Sequence, residues 1–80
     1  MMTVECVQRR LVEICYARHL SFNKLAYLSA VHPSTVKGIM NGASKNPGIV
    51  TIKKLCDGLD ISLTEFFDTD YVRELEQEIK

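Results

Sequence analysis

Between positions 33 and 41 this chain carries Ser34, Thr35, Lys37 and Asn41 on one side and Val36 and Ile39 on the other. At helical spacing this separates a short polar face, opened further by Gly38, from an apolar one. Hydroxyls, an ammonium and a carboxamide on a helix surface form hydrogen bonds and neutralise anions; alone they break no covalent bond. A polar helix without large outward hydrophobes fits against base edges in the major groove of duplex DNA, roughly 12 Å wide.

Groups suited to catalysis are sparse. His19 and His32 are the only histidines, and neither has a carboxylate and a nucleophile at a suggestive spacing. His19 falls near a helix C-terminus, where it answers the dipole. Gly38, Gly42, Gly48 and Gly58 are scattered and form no phosphate loop. Cys6, Cys15 and Cys56 are odd in number and never in a C-x-x-C pair, so neither a disulfide framework nor a zinc site is signalled. They read as small buried hydrophobes. The expectation is a non-enzyme with no metal and no cofactor.

The net charge is zero over 80 residues, but the charges are segregated. Residues 1–56 hold eight Lys/Arg against two Asp/Glu, net +6; residues 57–80 hold two against eight, net −6. A basic body with an acidic end points to polyanion binding by one part, although solvated helix faces give the same count. Eighty residues make one domain with a modest core. No apolar run approaches the roughly 18 residues of a membrane span. Charges at Glu5, Arg9, Arg10 and Glu13 interrupt any signal-peptide core. A cytoplasmic location is expected.

The elements that must position the polar face are helical throughout. Val4, Val7, Leu11 and Ile14 predict a helix over 3–18. Four later helix starts show one device, an apolar residue before the N-cap and another four after it. The sets are Leu20/Ser21/Leu25, Val31/His32/Val36, Val50/Thr51/Leu55 and Ile61/Ser62/Phe66. Pro33 suits a first helical position, whereas His32 is a weak capping type. Gly42 and Gly58 read as helix C-terminal glycines, and residues 42–48 as a loop. Helices are therefore predicted near 22–29, 33–41, 52–58 and 63–68. Residues 70–80 read as a sixth, with Val72, Leu75 and Ile79 on one side.

Helices 22–29 and 33–41 are joined by three residues, which forces a sharp corner closed by Leu25, Ala26, Val31, Val36 and Ile39. Here the residues resemble a family. The run Leu25-Ala26-x4-Val31-x-Pro33-Ser34-Thr35-Val36-x2-Ile39-x-Asn41-Gly42 is similar to the XRE/Cro class of helix-turn-helix regulators, which includes lambdoid phage repressors. The likeness continues through Ser44-Lys45-Asn46-Pro47, Thr51 to Cys56, and Ile61-Ser62-x2-Glu65-Phe66-Phe67. It implies an all-α, five-helix lambda-repressor-like DNA-binding domain over 1–69. The helix-turn-helix is 22–41, and 70–80 is an acidic helical extension.

The resemblance also implies roles. Pro33, Ser34, Lys37 and Gly38 would approach bases. Asn23, Lys24, Thr35, Asn41, Lys45 and Asn46 would meet the DNA backbone. Thr51, read as the start of the fourth helix, would offer N–H groups to a phosphate. Lys53, with Lys54, would lie in that helix's first turn, where the dipole disfavours cations unless a phosphate is near; simple solvation is the other reading.

Four positions depart from the family. Phe22 stands where a phosphate-gripping Gln is usual. Ala30 stands where the turn usually has Gly, at a cost of about 1–2 kcal/mol in a left-handed conformation. Met40 and Cys15 replace a buried Glu–Arg pair, a coherent swap because losing one partner alone would strand a charge.

The polar face lacks Arg, Asn or Gln before Asn41, so modest readout per half-site is expected, with DNA shape and dimerisation supplying the rest. The partner is then double-stranded DNA. A homodimer would read a palindromic operator with half-sites roughly 34 Å apart, most simply as a repressor. The alternative is a protein-interaction module or antitoxin-type regulator acting through the acidic C-terminal helix. That segment has four readings: it docks on a protein partner, pairs with its own copy, folds back on the basic body as a DNA mimic, or caps the core.

Overall fold

Four helix starts in this chain lie where a side chain takes a free backbone N–H. Ser21 Oγ accepts from Lys24 N–H (3.1 Å), Ser62 Oγ from Glu65 N–H (3.0 Å) and Thr69 Oγ1 from Val72 N–H (3.4 Å). His32 also caps: its Nδ1 accepts from Ser34 N–H at 3.1 Å. In the computed structural model, which describes residues 2–79, the result is α1 (Thr3–Ala17), α2 (Phe22–Ser29), α3 (Pro33–Met40), α4 (Ile49–Leu59), α5 (Leu63–Phe67) and α6 (Asp70–Arg73). No strand occurs among the described residues. The fold is the all-α, five-helix arrangement with a short sixth helix.

Two expected boundaries are corrected. α4 starts at Ile49, after an extended Gly48, and its first i→i−4 bond runs from Ile52 N–H to the Gly48 carbonyl (3.1 Å). Pro47 disfavours helical geometry in the residue before it, so the helix runs back only to the Pro-Gly pair. Val50 is 66% exposed and Leu55 is 1% exposed, so the pair does not staple the helix. Thr51 is the third helical residue rather than a cap. The second correction concerns 70–80: only Asp70–Arg73 is helical. Glu74, Glu76 and Glu78 would stand at the C-terminal end of any longer helix, where the dipole opposes negative charge. Leu75 is half-buried, Ile79 is exposed, and Lys80 lies outside the described residues.

The core is built from one stripe of each of α1 to α5. Leu11, Leu25, Val36, Ile39, Leu55, Cys56, Leu59 and Phe66 are fully buried. Cys6 and Cys15 are buried too, and none of the three cysteines is in a disulfide. Met40 is half-buried and packs on the same cluster as Cys15, so both positions of the departed charge pair are apolar core. The guanidinium of Arg10 donates to the carbonyls of Phe66 (2.6 Å) and Glu65 (3.0 Å), holding the end of α5 on α1. Arg18 does the same for the Leu59 carbonyl at the end of α4.

Gly58 lies inside α4 and does not end it; the left-handed residue closing that helix is Asp60 (φ 58°). Gly42 does follow α3 with φ 84°.

Candidate nucleic-acid interface

The corner between α2 and α3 closes through backbone bonds that Ala30 makes possible. Ala30 adopts the left-handed conformation (φ 53°, ψ 36°). Its N–H reaches the Tyr27 carbonyl (3.3 Å) while Val31 N–H reaches the Ala26 carbonyl (3.1 Å). This is the Schellman pattern, formed here without glycine. The hydrogen bonds and the burial of Ala26 (1% exposed) hold a conformation that a β-carbon disfavours.

The chain then turns into α3 with its apolar side inward and its polar side outward. Val36 and Ile39 are buried, while Pro33, Ser34, Thr35, Lys37 and Asn41 are exposed. A β-carbon built on Gly38 meets nothing within 4 Å, so that position is open space on the outer surface. His32 ties the start of the helix twice, since Nδ1 also lies 2.7 Å from Ser34 Oγ. Because Nδ1 accepts the Ser34 N–H, neutral His32 carries its proton on Nε2.

One shallow hollow joins the start of α2 to the outer face of α3. Ser21, Phe22, Asn23, Pro33, Ser34, Lys37, Met40 and Asn41 line it. It brings together three of the residues expected at bases (Pro33, Ser34, Lys37) and two expected at the backbone (Asn23, Asn41). Phe22, at the position where the family usually has a phosphate-gripping Gln, lines it too, as does Met40, which was expected in the core.

The remaining expected positions are dispersed. Lys45 and Asn46 line a second hollow with Thr3, Val4, Pro47 and Glu78. Lys24 places its ammonium 5.2 Å from the centre of the Tyr27 ring. Asn41 Oδ1 accepts from Ala43 N–H (2.9 Å), so the carboxamide also shapes the turn after α3. Thr51 is half-buried in the first turn of α4. Lys53 and Lys54 fall beyond that turn, and Lys53 is ion-paired with Asp57 four residues on.

No group of three or more His, Cys, Asp or Glu among the described residues is placed to hold a metal. No helix among them is long and apolar enough to cross a membrane.

A tight two-helix corner with an exposed, polar second helix defines a helix-turn-helix protein. The chain belongs to the Cro/C1-type helix-turn-helix DNA-binding domain family, whose profile matches residues 10–70. It is a DNA-binding domain of a family of transcription regulators, which are typically not enzymes. Among solved structures, the crystal structure of the prophage Lp1 protein 11 is similar: it is 38% identical, with a TM-score of 0.79, and the match covers 94% of this chain and 100% of that one. No curated protein matches the chain.

Proposed function

We propose that the chain is a sequence-specific binder of duplex DNA that inserts α3 into the major groove. The observation that carries this reading is the hollow shared by α2 and α3, in which Ser34, Lys37, Asn23 and Asn41 face one surface. Pro33, Ser34, Lys37 and the open position at Gly38 meet base edges. Lys37 addresses guanine O6 and N7, and the Ser34 hydroxyl takes either a donor or an acceptor. Asn23, Lys24, Thr35, Asn41, Lys45 and Asn46 meet the sugar–phosphate backbone and set the register.

The start of α4 contributes less than its sequence suggested. Thr51 and Lys53 remain candidates for a phosphate, but Lys53 must first leave Asp57. Exposed pairs of this kind are weak, about 0.2–1 kcal/mol, so a phosphate can displace the carboxylate.

One recognition helix buries too little surface for tight specific binding, so the active species is a homodimer on a palindromic operator. Apolar side chains left in solvent at Tyr27, Leu28, Ile49 and Val50 offer surface to a second copy. The outcome of binding is repression, by occupation of the operator, in the cytoplasm. The likeness to a prophage protein fits a phage-type regulator.

The test is selection from random duplex DNA with the purified protein, followed by salt titration of the winning sequence. The expected result is a two-fold symmetric consensus and an affinity that falls steeply with salt. No enriched sequence, together with no salt-dependent binding, would overturn the proposal.

A further inference from the structure

Residues 70–79 hold Asp70, Glu74, Glu76 and Glu78 against a single base, Arg73. They do not extend away from the domain but return along α1, attached at two points. At the first, Tyr71 lies under the Arg9 guanidinium, 4.2 Å from its ring centre, and its hydroxyl donates to Glu13. The Cys6 thiol faces the Tyr71 carbonyl at 3.8 Å. At the second, Glu78 Oε1 accepts from the Thr3 hydroxyl (2.8 Å) and the Thr3 N–H (3.3 Å). Thr3 opens α1, where the helix dipole favours a carboxylate. Val72 and Leu75 are half-buried between the two attachments.

The second attachment has a neighbour that matters. Glu78 and Thr3 line the same hollow as Lys45 and Asn46, in the loop that follows α3. We infer that the acidic C-terminal segment is an autoinhibitory strap, with Glu78 holding a carboxylate where a DNA phosphate must arrive to meet Lys45 and Asn46. The inference rests on the proposed backbone role of that loop.

A phosphate arriving at Lys45 and Asn46 enters the hollow that the Glu78 carboxylate already lines, and the two negative charges repel. An arriving phosphate therefore has to lift Glu78 from Thr3. The two attachments differ in strength. Tyr71 is half-buried, whereas Glu78 and Thr3 are both exposed to solvent. The distal end can lift while Tyr71 stays in place. Exposed charge contacts are weak, so the strap tunes affinity by about two- to fivefold and does not silence binding. Its effect fades with salt, as the Debye length shrinks from about 10 Å at 0.1 M to about 3 Å at 1 M.

The experiment compares the full chain with Glu78→Gln, Lys45→Ala and the double variant on the selected duplex across a salt series. The Thr3 amide resonance is followed by NMR without DNA. The strap predicts that Glu78→Gln shifts that resonance, tightens binding two- to fivefold at low salt, and gains nothing at high salt or in the Lys45→Ala background. If Lys45→Ala weakens binding while Glu78→Gln leaves it unchanged at low salt, the strap is overturned and the DNA reading stands. An unmoved Thr3 amide overturns the contact itself. If none of the chains binds duplex, the DNA reading falls and the strap falls with it, even where the Thr3 amide has moved.

Discussion

Gly58 of α4 faces Ser29 of α2 so closely that a β-carbon on Gly58 would lie 2.1 Å from the Ser29 hydroxyl oxygen and 3.0 Å from its α-carbon. The Ser29 hydroxyl is itself buried, with no hydrogen-bond partner among the described residues. The α2–α4 contact therefore depends on a missing side chain and tolerates an unsatisfied polar atom. Gly58→Ala should destabilise the fold by about 1–2 kcal/mol, because overpacking outweighs the better helix propensity of alanine. Ser29→Ala should stabilise it by about 1 kcal/mol, since a desolvated hydroxyl is removed. Urea unfolding of both variants checks this; a Gly58→Ala chain more stable than the original would contradict the packing argument.

Arg10 is expected to act in stability, not in DNA contact. Its two bonds to the carbonyls at the end of α5 are worth about 1–2 kcal/mol together after allowance for partial exposure. Arg10→Ala should lower the melting temperature. Arg10→Lys should recover only part of the loss, because an ammonium cannot reproduce the fork. Equal melting temperatures for all three chains would show that the bonds contribute nothing.

The His32 cap links stability to the recognition helix. His32→Ala should cost about 1 kcal/mol and fray the start of α3, with His32→Asn close to neutral because asparagine caps well. Amide exchange at Ser34 reports the cap directly, and protection unchanged in His32→Ala would count against it.

Lys37 and Lys45 should separate specificity from affinity. Lys37→Ala should relax the preferred sequence at one position of each half-site, at a cost of about 1–3 kcal/mol for the matched base. Lys45→Ala should weaken binding to all sequences and reduce the salt slope by about one. Repeating the selection with each variant is the check. An unchanged consensus and affinity for Lys37→Ala would remove that residue from base readout.

Alkaline pH should destabilise the domain through its buried thiols. Burial pushes the Cys6, Cys15 and Cys56 thiols up, and Tyr71 is raised by burial and then by its bond to the Glu13 carboxylate. The folded state thus favours the protonated forms. The stabilisation from the thiols is complete below the unfolded thiol value, roughly pH 8.5, and is lost as pH rises through the higher folded values. The urea midpoint should fall between pH 7 and pH 10. A flat profile over that range would contradict the assignment.

Much of this protein was legible in its sequence because the signals were local. Apolar residues at spacings of three and four specified α1 to α3 and α5 to within a residue or two. Ser21 and Ser62 marked their helix starts through bonds to N–H groups three residues away. The polar outer face of α3 is legible in the sequence, because a helix fixes which side chains share a side. Local signals also misled. Thr51 looked like a cap, yet the Pro47-Gly48 pair placed the start of α4 earlier.

Tertiary structure decided what depends on distant partners. Gly58 looked like a helix stop, but its role is set by Ser29 across the interface. Ala30 keeps a left-handed conformation because the packed corner and its two backbone bonds hold it there. The acidic end carried helical spacing, yet Tyr71 against Arg9 and Glu13, with Glu78 at Thr3, 75 residues away, lays it along α1. Periodicity encodes which faces are apolar; which surfaces meet, and therefore where opposite charges end up side by side, follows only once the helices pack.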